Sequence, residues 1–138
     1  MGVNYWAIVL AAVASFMFGG AYYGLLSKPW MQALGKSGTE IKSGSPTPVL
    51  FGITIVAELI MAWVLAGLML HLAKAGIAAN VRNGVLTAVF CWFGFVATSL
   101  TVNHGYQGAK RMLTLIDGGH WLGVLMIQGL ILGWLGVR

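Results

Sequence analysis

Charge is what this sequence has least of. Only 8% of its 138 residues are charged, 8 Lys or Arg against 3 Asp or Glu, where a soluble domain carries about 25%. A chain this short with 59% hydrophobic residues could not stay dissolved in water, so a lipid bilayer is its expected solvent. Cysteine is nearly absent as well. Cys91 alone excludes an intrachain disulfide and offers no metal motif. Also missing are a nucleophile elbow, HExxH, a phosphate-cradling glycine loop and a GxGxxG after a strand. The chain is therefore not expected to be an enzyme, and nothing in it requires a cofactor. The formal charge of +5 is of the kind that orients a membrane protein and meets anionic lipid, and nucleic acid is not an expected partner.

What is present is apolar sequence in four runs, at about 5–26, 49–72, 81–102 and 113–137, each near the ~20 helical residues that cross a hydrocarbon core. The alternation of a closed β-barrel is absent. The expected fold is all-α: one domain over 1–138, an integral membrane four-helix bundle, up-down-up-down, with both termini on the same side. The first run has no basic residues before it and is too long for a signal-peptide core, so it reads as a retained span. Loops one and three carry Lys28, Lys36, Lys42, Lys110 and Arg111. The other side carries Lys74, Arg82 and Arg138. That imbalance favours loops one and three as cytoplasmic, with the termini outside a bacterial inner membrane.

The 27–47 loop is the longest polar piece. Residues 29–34 suggest a short surface helix with Trp30 and Leu34 facing lipid and Trp30 as interface anchor. Residues 35–45, rich in Gly, Ser and Lys, read as a mobile loop. Thr47 is the expected N-cap of the second span and Pro48 its first helical residue. Small residues mark helix contacts. Those expected to pack are Gly20 with Gly24, Gly94, Gly119 with Gly123, and Gly129 with Gly133. In the third span Thr87, Cys91, Gly94, Thr98 and Thr101 recur at helical spacing as a weakly polar seam.

Against this background the ionisable residues stand out. Glu58 lies about ten residues into its span, roughly 15 Å deep, where a charge costs at least about 2.5 kcal/mol. A carboxyl there is either neutral or matched by a partner. In the fourth span Asp117, His120, Val124 and Gln128 share one helical face. Antiparallel hairpins place Tyr22, Tyr23, Asn103, His104, Asp117 and His120 in the membrane half next to loops one and three, with Glu58 at its inner boundary. Asn4, His71 and Gln128 fall in the other half.

Three chemistries suit that polar cluster. Glu58, Asp117 and His120 could relay protons or cations along a cavity. Asp117 and His120, with Glu58 or His104, could ligate a metal. Or the cluster could be structural, with Glu58 paired to His120 or held by hydroxyls. At the level of function this gives two readings: transport of a small solute, proton or cation, or a non-catalytic subunit joining a homo-oligomer or other membrane proteins through its glycine faces.

Three stretches also resemble a known family. They are Ala21-Tyr22-Tyr23-Gly24 followed by Lys28 and Trp30, the run Ala57-Glu58-Leu59-Ile60-Met61-Ala62-Trp63-Val64-Leu65-Ala66, and Leu115-Ile116-Asp117-Gly118-Gly119-His120. In this order and at this length the chain is similar to the bacterial family called domain of unknown function 1761. The resemblance implies a small four-span inner-membrane protein and no particular activity. The family's usual Trp-Tyr before Gly-Pro is here Tyr22-Tyr23-Gly24-Leu25.

Overall fold

The computed structural model describes residues 2–42 and 47–138, and all regular structure among them is helical. Four helices are long and apolar enough to cross a membrane: Tyr5–Leu25, Thr47–Lys74, Val81–Tyr106 and Arg111–Leu135. Their boundaries match the apolar runs, except that the third continues four residues past Val102. Two shorter helices, Ser27–Leu34 and Gly38–Lys42, lie between the first and second long helices.

The fourth long helix is the hub, because 44% of its most apolar window is buried against 6% for the third helix. It runs antiparallel to the first: Tyr22 meets Ile116 near one end, Ser15 meets Gln128 midway, and Asn4 meets Gly136 at the other end. Asn4 holds that last junction. Its side-chain oxygen accepts from the Ala7 amide, capping the first helix, while its amide donates to the Leu135 and Gly136 carbonyls at the end of the fourth. One residue thus satisfies orphan groups at two helix ends.

Glycine decides how closely the helices approach. A Cβ on Gly84 would fall on the Gly129 carbonyl, and one on Gly129 would meet the Gly84 carbonyl carbon at 2.7 Å. Further along, Gly133 lies against the backbone of Asn80 and Val81. On the same helix Gly119 lies under the Tyr22 hydroxyl and Gly123 under the Phe18 ring. The expected contacts at Gly119, Gly123, Gly129 and Gly133 are therefore present. At Gly20, Gly24 and Gly94 a Cβ would meet nothing within 4 Å among the described residues of this chain. Spacing marks small residues but does not say which side of a helix a neighbour occupies.

The seam expected on the third helix is also corrected. Residues Trp92–Ala97 form a π-helical turn, which adds one residue and rotates the rest of the helix by about 100°. Gly84 and Ala88 are buried, while Gly94, Thr98 and Thr101 are exposed. The threonines satisfy their hydroxyls on their own helix, Thr98 on Gly94 and Thr101 on Ala97. With Phe90, Phe93 and Phe95 68–77% exposed, that outer surface suits hydrocarbon and not water.

The Ser27–Leu34 helix turns inward. Trp30 and Leu34 pack with Ala33 on Leu113 and Ile116, and Trp30 meets the Tyr23 ring edge-on at 5.7 Å. Through these contacts the helix covers the end of the bundle. Part of the segment expected to be a mobile loop is helical at Gly38–Lys42. There Ser37 and Glu40 form a capping box: the Ser37 amide donates to the Glu40 carboxylate at 2.6 Å, and the Glu40 amide to the Ser37 hydroxyl at 3.3 Å. Those bonds hold the Glu40 carboxyl below its ordinary range. Thr47 is the first described residue of the second long helix and Pro48 the next, both helical. The last part of the segment expected to be mobile, 43–45, lies outside the described residues.

This packing makes two outcomes measurable. Gly84→Val should cost about 1–3 kcal/mol through overpacking against a backbone that cannot yield, whereas Gly94→Val should change stability by no more than about 0.5 kcal/mol. Thermal unfolding of the two variants in the same detergent compares them. Because Glu40 titrates below its unfolded value, the capping box should persist above the ordinary carboxylate pKa and be lost as pH falls through the lowered one. Faster exchange of the Ser37 amide on acidification, monitored by NMR, checks this.

Candidate functional site

The polar residues form a seam down the interface of the first and fourth long helices, and the second and third helices join it at different levels. At the loop end, the Tyr23 hydroxyl donates to Asp117 Oδ1 at 2.7 Å and the Tyr22 hydroxyl to the Ile116 carbonyl at 2.7 Å. His104 reaches in from the third helix. Its Nε2 is 4.0 Å from Asp117 Oδ2, and its Nδ1 is 2.9 Å from the Thr114 hydroxyl. Asn103, expected beside it, is exposed. One residue is about 100° around a helix, enough to turn Asn103 outward when His104 turns in.

One turn deeper, His120 is 4% exposed. Among the described hydrogen bonds none joins it to Asp117, whose Oδ1 accepts from Tyr23. Aromatic rings surround it instead. Phe18 is stacked at 6.3 Å, Tyr22 lies at 5.7 Å, and Tyr23 and Trp121 each lie at 4.7 Å. Gly19 leaves room for the ring, since a Cβ there would be 2.8 Å from Nε2. His120 Nδ1 has no partner among the described residues.

Deeper still, three fully buried side chains from three helices meet. Ser15 Oγ is 2.5 Å from Glu58 Oε2 and 3.0 Å from the Ala12 carbonyl. Gln128 Nε2 donates to Ser15 Oγ at 3.1 Å and to the Glu58 main-chain carbonyl at 3.0 Å. Glu58 Oε1 and Gln128 Oε1 have no partner among the described residues. Gln128 therefore sits with Glu58 and not in a separate half. Counting from span ends cannot sort residues near the midplane, because a boundary error of one or two residues is as large as the separation in question. The expected Glu58–His120 pair is absent among the described hydrogen bonds.

Proton accounting shows what the deep junction can do. A serine hydroxyl has one proton. If Glu58 is ionised, Ser15 donates to it, with the short separation typical of a charge-assisted bond. If Glu58 is protonated, its carboxyl donates to Ser15, which then donates to the Ala12 carbonyl. Both arrangements keep the three side chains in place, so a proton can come or go at Glu58 without breaking the helix contact.

Glu58 and His120 do share a surface. A cleft of about 600 Å³ opens beside the first and second helices, with Phe16, Tyr23, Phe51 and Trp121 in its walls. Asp117 does not line it, so the expected Glu58–Asp117–His120 cluster divides. Glu58 and His120, both buried, lie behind the cleft wall, while Asp117 accepts from Tyr23 with His104 4.0 Å away. Among the described residues no group of three or more His, Cys, Asp or Glu side chains could hold a metal ion. Of the contributors that sequence reasoning missed, Gln128 was on the right helical face, and Ser15 was hidden among small residues. Trp92, whose indole donates to the Gly118 carbonyl at 2.8 Å, gave no signal of its own.

An all-helical chain with four span-length apolar helices and a buried polar seam is of the integral membrane type. The model of the family described as protein of unknown function (DUF1761) matches residues 6–133, and the chain belongs to that family. Searches of curated proteins and of solved structures find no match.

Ser15→Ala removes the only hydroxyl that Glu58 Oε2 and Gln128 share. Stranding buried polar atoms should cost about 1–3 kcal/mol, read as a lowered thermal midpoint in detergent. An unchanged midpoint would show that the junction does not hold the helices.

Proposed function

We propose that this chain is a four-span membrane protein of the bacterial inner membrane type that binds a small solute or cation in the lateral cleft, as a step of proton-linked transport. The observation that carries this reading is Glu58. It is completely buried, one of its oxygens has no partner and no Lys or Arg is paired with it among the described residues, and it lines a cleft of about 600 Å³. Burying a carboxyl in hydrocarbon is costly, and such residues mark ion and proton pathways. Aromatic walls beside a carboxylate suit a cation, which gains from both the ring faces and the charge. Ser15 supplies the reversible hydrogen bond that lets Glu58 exchange a proton for that cation. His120, in the same wall, is the second group able to pass a proton.

A second reading, an accessory subunit or homo-oligomer, is supported by a different observation. Gly20 and Gly24 on the first helix and Gly94 on the third have open space where a neighbour could pack.

The transport reading is tested by Glu58→Gln in proteoliposomes loaded with a pH-sensitive dye. Wild-type protein should support a pH-dependent proton flux, and the variant, nearly isosteric but unable to ionise, should abolish it. Equal flux from both would remove Glu58 as the carrier.

A further inference from the structure

A second groove lies at the opposite end of the molecule, beside the chain termini. It has a volume of about 670 Å³ beside the second half of the second long helix, with Val3, Trp63 and Arg138 in its walls. This is within the roughly 300–1,000 Å³ of typical small-molecule sites. Its floor is one face of the second helix, where Val64, Gly67, Leu68, His71 and Lys74 succeed one another at helical spacing. Gly67 makes the trough, since a Cβ there would meet nothing within 4 Å.

That face changes character along its length. Trp63, Val64 and Leu68 are apolar and 39–55% exposed, a surface that accepts hydrocarbon. One turn on come His71, and then Lys74 as the helix ends. The sequence of chemistry, apolar floor then cationic and imidazole donors at the helix end, matches a molecule with an acyl chain and an anionic head. An uncharged lipid would leave Lys74 without a charge complement, a zwitterionic one would bring its own ammonium group beside Lys74, and a soluble anion would leave Trp63, Val64 and Leu68 uncovered.

We propose that this groove is a binding site for one anionic phospholipid, with an acyl chain along Trp63, Val64 and Leu68 and the phosphate at His71 and Lys74. A Lys or Arg near an anionic membrane surface contributes about 1 kcal/mol. The site is separate from the cleft at Glu58 and does not depend on its function.

The test uses the full chain in nanodiscs containing brominated phosphatidylglycerol or brominated phosphatidylcholine over the same series of mole fractions. The Trp63 signal is taken as the fluorescence lost in Trp63→Phe. Brominated phosphatidylglycerol should quench it half-maximally at about a fivefold lower mole fraction than brominated phosphatidylcholine, the ratio that about 1 kcal/mol gives. The double variant His71→Gln/Lys74→Gln alters two exposed side chains and should erase the difference while leaving the thermal midpoint unchanged. Equal quenching by the two lipids in wild type would overturn the proposal, as would a preference that survives the double substitution.

Discussion

The hydrogen-bonded junction of Ser15, Glu58 and Gln128 is the constraint around which the bundle is arranged. In hydrocarbon no water can complete a polar group's bonding, so each of these side chains must find its partner on another helix. Gln128 does so twice, through one amide that bridges the Ser15 hydroxyl and the Glu58 carbonyl. This fixes the rotation and height of the first, second and fourth long helices together. Apolar packing alone is weakly specific here, because lipid tails are as good a neighbour for leucine as another helix is.

The fourth long helix can serve this junction because its faces differ. Its polar face, Asp117, His120 and Gln128, turns toward the first helix. Gly129 and Gly133 let the third helix approach to backbone contact. Asn4 then closes the far end by capping the first helix and the fourth at once. The third helix needs few buried side chains in return. At its π turn Trp92 donates to the Gly118 carbonyl, and beyond it Thr98 and Thr101 face outward while His104 turns back in.

Two chemically different surfaces result. The cleft beside Glu58 and His120 is aromatic and contains a carboxyl, and it lies within the apolar length of the helices. The groove at the termini is apolar at its floor and basic at its rim. The first suits a cation and the second an anionic head group. Asp117, which the sequence groups with Glu58, belongs to neither. Its Oδ1 accepts from Tyr23 and its Oδ2 lies 4.0 Å from His104, an arrangement at the loop end of the bundle.

By itself the sequence determined the class of fold. Uninterrupted apolar length allows only helices in lipid, and the run boundaries gave the four long helices closely. Periodicity also placed Asp117, His120, Val124 and Gln128 on one face, because the 3.6-residue repeat is a local property. What only the tertiary structure decided was which polar groups meet. Whether Glu58 faces Ser15 or His120 depends on helix rotation and height, which differ by less than a turn between the alternatives and leave no trace in spacing. For the same reason glycines of equal promise diverged, Gly129 lying against backbone and Gly94 against nothing. A single π turn, invisible to a regular repeat, redirected half of the third helix.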